Sequence, residues 1–268
     1  MTLIDPADTS APRSYALRGL ALLATASMVV SISVLALPLS AKAAESAAVH
    51  PSATHPSVVV PAVAAGKLAA QGCTASGTMV SCDLYAMEGT TSMLGGAPIN
   101  IWGFSSTGVA GSATAPGPLL VVNQGDTVSV TLHNQIAGQQ VSLTFPGQPT
   151  SAFSAGLSAL AEESGLATGA TSTYTFTASR AGTFSYEAGH TANGTRQVAM
   201  GLAGALVVRP TDGTAYGAAS GYPDTTYADD AVVVLSEIDP ALNAAPATFD
   251  MRKFAPKYRL INGKPFPS

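Results

Sequence analysis

The chain has 268 residues, of which 47% are hydrophobic and only 10% are charged, and its formal net charge is −4. A chain of this length can form one large β domain or two small ones once a leader is removed. The low charge and mildly acidic balance argue against a nucleic-acid-binding protein, because such proteins neutralise phosphates with clustered Lys and Arg.

The N-terminal part of the chain has the features of an export signal. Residues 19–37 form a nearly uncharged apolar run, which Arg13 and Arg18 precede and small residues around Lys42 follow. A positive flank, an apolar stretch and a small-residue cleavage site predict a secretory signal over residues 1–43. The alternative is an uncleaved membrane anchor, since the run is close to the length that spans a bilayer. Either segment would place the folded part outside the cytoplasm, in the periplasm, at the cell surface or in the medium.

A linker and a cysteine pair follow this segment. Residues 44–70 are rich in Ala, Ser, Pro and Val without a clear period, which is typical of an exposed linker. The chain has two cysteines, Cys73 and Cys82, with Gly77 between them. In an oxidising compartment such a pair favours a disulfide that joins a short hairpin. The alternative is two unpaired thiols that behave as small buried hydrophobes.

From Cys73 onward the sequence has the pattern of an all-β domain: short apolar and Thr-rich runs are separated by the turn residues Gly, Pro, Asn and Asp. The clearest run is 127–133, where Val128, Val130 and Leu132 alternate with polar residues at the period of a half-buried strand. His133, at the polar end of this run, is expected at the surface. Many short strands indicate a β-sandwich or barrel. The predicted strands are 99–104, 119–122, 127–133, 140–145, 173–177, 183–186, 202–208, 231–235 and 258–261.

Three strips of sequence carry a family resemblance. Residues 116–128 read PGPLLVVNQGDTV, 181–186 read AGTFSY with MGLAGALVV at 200–208, and 258–267 read YRLINGKPFP. In this order they resemble the plastocyanin-like domains of multicopper oxidases, the family of laccases and their bacterial relatives. The resemblance implies a cupredoxin-like Greek-key β-sandwich. Glycines within the strips are expected to serve turns and close packing.

The resemblance also predicts how the chain is divided. After the signal or anchor and the linker, residues 71–210 form a cupredoxin-like domain. Residues 211–268 form a connection and the start of a second, truncated cupredoxin-like domain, in which Asn262 and Gly263 are a strong hairpin signal. The partners expected from this division are downstream cupredoxin domains of a longer protein.

The cofactor that the resemblance implies is copper, which this family binds through H-x-H pairs on two strands of the first domain. Thr144 and Pro146 stand where the first pair is expected. Glu187 and Gly189 stand where the second pair is expected, so the four ligand positions are degenerate here. His190 is the remaining candidate copper ligand, and its alternative is an exposed loop histidine.

Two functions remain open from the sequence. The first is the N-terminal part of an exported multicopper-oxidase-like protein, whose electron transfer or oxidation chemistry would depend on ligands in downstream domains. The alternative is a copper-free β-sandwich with a structural or binding role, because one fold can host unrelated functions. No catalytic residue is predicted within the chain itself.

Overall fold

The computed structural model describes residues 67–93, 95–148, 165–217, 221 and 225–265. The predicted signal or anchor and all but the last residues of the predicted linker lie outside the described residues. The elements, in chain order, are β1 Cys73–Ser76, β2 Met79–Thr91, β3 Ile99–Ser105, β4 Leu120–Asn123, β5 Thr127–Asn134, β6 Leu143–Thr144, β7 Thr171–Thr177, β8 Gly182–Ala188, α1 Gly194–Met200, β9 Ala203–Arg209, β10 Leu235–Ile238, α2 Pro240–Ala244, β11 Tyr258–Ile261 and β12 Lys264–Pro265.

Two sheets form a sandwich. The first has the order β1-β2-β5-β7, with β3 paired to the second half of β2, and the other has the order β4-β9-β8-β6. Strands β2 and β5 are parallel, as are β4 and β9, whereas the remaining neighbours within the two sheets are antiparallel. This architecture confirms the predicted all-β, cupredoxin-like fold.

Strand β5 shows how the sequence builds the core. Val128, Val130 and Leu132 are fully buried, and the polar residues between them lie on the outer face of the sheet. Burying an aliphatic side chain of this size stabilises a fold by roughly 1.5–3 kcal/mol relative to leaving it exposed. On the outer face His133 is partly exposed, stacks on the ring of Tyr85 at 4.2 Å and lies 3.0 Å from Asp83. The period of two therefore predicts both faces of this strand.

A disulfide joins the first two strands. Cys73 lies opposite Cys82 in the antiparallel register of β1 and β2, and the two Cα atoms are 4.1 Å apart. Gly77 lies in the intervening turn with a φ of 60°, in the left-handed region that glycine adopts readily. The cysteines thus fasten a hairpin at the edge of the first sheet.

The predicted strand 140–145 is wrong in extent. Only Leu143–Thr144 pairs as a strand, with β8. Val141 instead exchanges backbone hydrogen bonds with Leu166. The chain therefore changes its backbone partner within this run, and this change prevents one continuous strand.

The predicted strand 231–235 is misplaced. Regular pairing begins only at Leu235, which lies opposite Ile261. Before that point the Val234 N–H donates to the side-chain oxygen of Asn262, and the Asn262 side-chain nitrogen donates to the Val232 carbonyl. The single residue Asn262, through its side chain and its backbone N–H, thus replaces a neighbouring strand as the partner of this apolar run.

The residues after the sandwich form a small sheet of three strands in the order β10-β11-β12. Asn262 and Gly263 both have positive φ, 50° and 75°, and make the predicted turn between β11 and β12. Leu242 of α2 is fully buried in the main core, and the Asn243 side chain donates to the Asn100 carbonyl at 2.6 Å. None of the helices in the described part of the chain has the length and apolar character needed to cross a membrane.

Candidate functional site

Strands β6 and β8 bring two of the degenerate ligand positions together. Thr144 lies directly opposite Glu187 in their antiparallel register. Thr144 is buried and Glu187 is half-buried. Side chains directly opposite on neighbouring antiparallel strands have Cβ atoms about 4.5–5.5 Å apart. The strands that carry the two degenerate ligand pairs therefore lie side by side at the β6 edge of the second sheet.

The other two ligand positions lie just beyond these strands. Pro146 is exposed, whereas Gly189 is buried and directly follows β8. A Cβ atom added at Gly189 would lie 2.3 Å from the Ser142 Oγ atom. This backbone therefore has no room for an imidazole at position 189 unless Ser142 is displaced.

The side chains at these positions do not fit a copper centre built from imidazoles. They offer a hydroxyl, a pyrrolidine ring, a carboxylate and a hydrogen atom, whereas nitrogen-rich copper sites use neutral imidazole. No group of three His, Cys, Asp or Glu residues in the described ranges could hold a metal ion. The chemistry of the donor set, and the space at Gly189, thus disagree with the ligand pattern of the family.

His190 lies at the rim of this region. It follows Gly189 in the turn between β8 and α1 and is exposed. Among the described residues it has no hydrogen-bond or ion-pair partner. Its exposure agrees with the alternative of a loop histidine, and its role as a copper ligand stays a prediction.

A cleft of about 1140 Å³ opens beside Glu187 and His190. One wall is formed by α1 and the strands β8 and β9, and the other by residues of β10, the 3₁₀ turn Met251–Lys253 and β11. The cleft contains two carboxylates, those of Glu187 and Glu237, and no Lys or Arg is among the described residues that line it. The cleft is therefore lined mainly by apolar residues, and its two carboxylates carry negative charge.

The helix on this wall was not predicted from the sequence. Helix α1 has seven residues, begins after Asn193 without a side-chain cap and ends at Gly201, whose φ is 119°. Gln197 is fully buried within it and donates from its side chain to the Gln140 carbonyl at 2.8 Å. Tertiary hydrogen bonds therefore hold this helix, since a segment this short is marginal on its own.

Beneath the cleft, Tyr186 anchors the sandwich. Its hydroxyl donates to the Pro118 carbonyl at 2.6 Å, and burial raises the pKa of Tyr186 far above its usual value. A Cβ atom at Gly204 would lie 2.3 Å from the Tyr186 ring, and one at Gly117 would lie 2.6 Å from its hydroxyl. The glycines of two family strips are therefore explained by the space that Tyr186 requires.

Comparisons with known proteins agree with the cupredoxin-like fold of the sandwich. Residues 98–213 match a family model described as multicopper oxidase. None of the curated proteins matches the chain by sequence.

Three similar solved structures illustrate the likeness. A blue copper oxidase from Nitrosomonas europaea is 24% identical over 70% of this chain and 54% of its own, with a TM-score of 0.57. A copper nitrite reductase from the same organism is 25% identical over 69% of this chain and 57% of its own, with a TM-score of 0.51. A multi-copper oxidase from Pediococcus acidilactici is 20% identical over 75% of this chain and 39% of its own, with a TM-score of 0.53.

The fold and the strip order define a cupredoxin-like β-sandwich. Together with the family match, they identify residues 98–213 as a cupredoxin-like domain of the multicopper oxidase type. The chain spans about half the length of the two Nitrosomonas europaea structures, 54% and 57%.

Proposed function

We propose that this chain is the N-terminal, cupredoxin-like part of an exported multicopper-oxidase-like protein and that it does not itself bind copper in the manner of the family. Any copper-linked electron transfer or oxidation would depend on ligands from downstream cupredoxin domains. The single observation that carries this proposal is the pairing of Thr144 with Glu187 at the edge where two imidazoles are expected.

The location of the protein is part of the same proposal. The apolar run 19–37, with its positive flank, supports export or anchoring in a membrane. The Cys73–Cys82 disulfide supports an oxidising compartment, because cytosolic thiols are kept reduced. The sandwich would then act in the periplasm, at the cell surface or in the medium.

A second candidate function is a copper-free structural or binding module. The observation that favours it is the steric closure of position 189, where Ser142 occupies the space that a side chain would need. A scaffold that retains its packing but not its ligands fits a role other than redox chemistry. The cleft beside Glu187 would then be the site at which such a module acts.

The copper content of the purified chain tests the proposal. The full chain is loaded with Cu(I) and, separately, with Cu(II), dialysed, and assayed for metal per chain by elemental analysis. We expect retention far below one copper per chain for the natural sequence. One copper per chain that disappears in the His190→Ala variant would overturn the proposal, because His190 would then be a ligand.

A gain-of-function variant provides the positive control. Thr144→His with Glu187→His places two imidazoles opposite each other on β6 and β8. Neutral imidazoles at this cross-strand spacing are suitable copper ligands. We expect this double variant to retain more copper than the natural chain, and each single variant to retain less than the double. Equal retention by the double variant and the natural chain would contradict the assignment of this edge to the ligand positions.

A further inference from the structure

We propose that the cleft between helix α1 and strands β10 and β11 binds a small organic cation, an ammonium group carried by an apolar body. The cleft is defined above by its volume of about 1140 Å³ and its two walls. This inference goes beyond the proposed function, since it needs neither copper nor a downstream domain.

The charge of the cleft selects a cation. The Glu187 carboxylate has no hydrogen-bond or ion-pair partner among the described residues. Glu237 forms a pair with Arg259 at 3.4 Å, and both side chains are largely exposed, so that pair is weak. No Lys or Arg is among the described residues that line the cleft, and His190 at its rim is the one basic residue among them. A concave surface lined by charge of one sign concentrates ligands of the opposite sign.

The walls of the cleft select an apolar body. Val198 and Met200 of α1 line the cleft, and Ile238, Phe254 and Leu260 contribute further apolar side chains to its lining. Small-molecule sites are mostly apolar concavities of roughly 300–1,000 Å³ with a few polar groups that fix orientation. The cleft, at about 1140 Å³, is slightly larger than that range, so an aromatic or branched aliphatic group would fit.

Two unpaired hydroxyls provide an independent sign of a polar ligand group. The Thr191 Oγ1 and Ser236 Oγ atoms are buried and have no hydrogen-bond partner among the described residues. Both residues line the cleft, Thr191 beside α1 and Ser236 on β10. Buried polar atoms without a partner are uncommon in native structures. An ammonium group donates three hydrogen bonds, and the Glu187 carboxylate and these two hydroxyls are acceptors among the residues that line the cleft.

Three probes of one shape and different charge test the proposal. Phenethylammonium, 2-phenylethanol and phenylacetate share a phenyl ring and a two-carbon arm but are cationic, neutral and anionic near pH 7. Binding to the full, chelator-treated chain is measured by isothermal titration calorimetry. We expect the cation to bind at least about tenfold more tightly than the alcohol, which is the effect of a charge-assisted hydrogen bond, and we expect no binding of phenylacetate.

Variants assign the effect to the cleft. Glu187→Gln keeps the shape of the side chain and removes its charge, so binding of phenethylammonium should weaken about tenfold. Glu187→Lys should reverse the preference in favour of phenylacetate. Glu88→Gln is the matched control, because Glu88 is exposed on β2 and does not line the cleft, and its binding should match the natural chain.

Several outcomes would overturn the proposal. They are equal binding of the cation and the alcohol, undiminished binding by Glu187→Gln, or binding of none of the probes. A dimer at the working concentration that excludes the probes would assign the cleft to a second copy instead. Because the measurement uses copper-free protein, none of these outcomes alters the copper count that tests the proposed function.

Discussion

Strand β8 has two faces: one keeps the core packing expected of the family, and the other lacks the copper ligand that the family resemblance predicts. On the inner face, Tyr186 is fully buried, hydrogen-bonded to Pro118 and enclosed by the glycine at position 204. On the outer face, the next residue, Glu187, lies opposite Thr144 and borders an open cleft. Successive side chains of a strand point to opposite faces. One strand can therefore keep the packing of a fold while the chemistry on its other face changes.

The difference between the two faces is also one of energy. A large buried side chain such as Tyr186 makes many dispersion contacts and its replacement leaves a cavity. Glu187 is half-buried and has no hydrogen-bond or ion-pair partner among the described residues, so its replacement should change stability little. Stability therefore constrains the inner face more strongly than the outer face.

Replacing Tyr186, on the inner face of β8, should have the largest effect on the free energy of unfolding. Tyr186→Ala is expected to lower the free energy of unfolding by about 4 kcal/mol, since it opens a cavity under both sheets and leaves the Pro118 carbonyl without its donor. Urea denaturation followed by circular dichroism measures the change. Tyr186→Phe, which removes only the hydroxyl, should lose about 1–2 kcal/mol. A loss below about 1 kcal/mol for Tyr186→Ala would mean that the two faces do not differ in this way.

Opening the disulfide should have the next largest effect. Replacing Cys73 and Cys82 together by serine is expected to lower the free energy of unfolding by about 2–3 kcal/mol, because the link restricts a short loop of the unfolded chain. Reductant should destabilise the natural chain by a similar amount and leave the double variant unchanged. An equal response of both proteins to reductant would show that the bond is not formed in solution.

Asp239 should contribute a smaller, pH-dependent amount. The Ala255 N–H, at 2.8 Å, is the largest influence that lowers the pKa of Asp239, burial opposes it, and the Ala241 N–H at 2.9 Å adds to the lowering. Because the folded-state pKa lies below its ordinary value of 3.8, this stabilisation is present above that pH and is lost as the pH falls through the folded-state pKa.

The variant Asp239→Ala tests this contribution. It is expected to lower the free energy of unfolding by about 1 kcal/mol at pH 7, since Asp239 is the N-cap of α2. Denaturation curves between pH 7 and pH 3 should converge for Asp239→Ala and the natural chain as acid is added. Asp239→Asn, which keeps an oxygen acceptor, should lose less. Curves that stay parallel into acid would contradict the titration of this residue.

A substitution on the outer face of β8, at Glu187, should have the smallest effect on stability. Glu187→Gln is expected to change the free energy of unfolding by less than about 0.5 kcal/mol, as is usual for substitutions outside the core. The same variant is expected to weaken cation binding, so one protein separates function from stability. A loss of stability comparable with that of Tyr186→Ala would remove the distinction between the faces of β8.

Much of the sandwich could be predicted because its determinants are local. Alternation in β5, the Asn262–Gly263 turn and the three family strips are each visible within a few residues of sequence. Strand β2 has the same alternation, but two of its four inward residues, Cys82 and Ala86, are weaker strand signals than Val or Ile, and it was not predicted.

The cleft could not be predicted because its determinants are distant in sequence. Helix α1 has seven residues, its N-cap Asn193 makes no side-chain capping hydrogen bond, and the helix is held by Gln197 through the carbonyl of Gln140. The opposite wall comes from β10 and β11, and the run before β10 is paired by the single residue Asn262 rather than by a strand. The sequence indicated that Glu187 stands in place of an imidazole, but only the fold places it in the same cleft as the unpaired hydroxyls of Thr191 and Ser236.

The parallel pairing of β4 with β9 has a consequence for how the chain acquires its structure. Leu120 pairs with Leu206, so the second sheet cannot close until most of the sandwich has been synthesised. Folds dominated by such distant contacts usually fold in milliseconds to seconds, since loop-closure entropy is lost before the contacts form. Newly made chain would meanwhile expose unpaired apolar strands, which are prone to aggregate. We expect refolding yield to fall steeply with protein concentration, and a chaperone that holds unfolded chains to restore it.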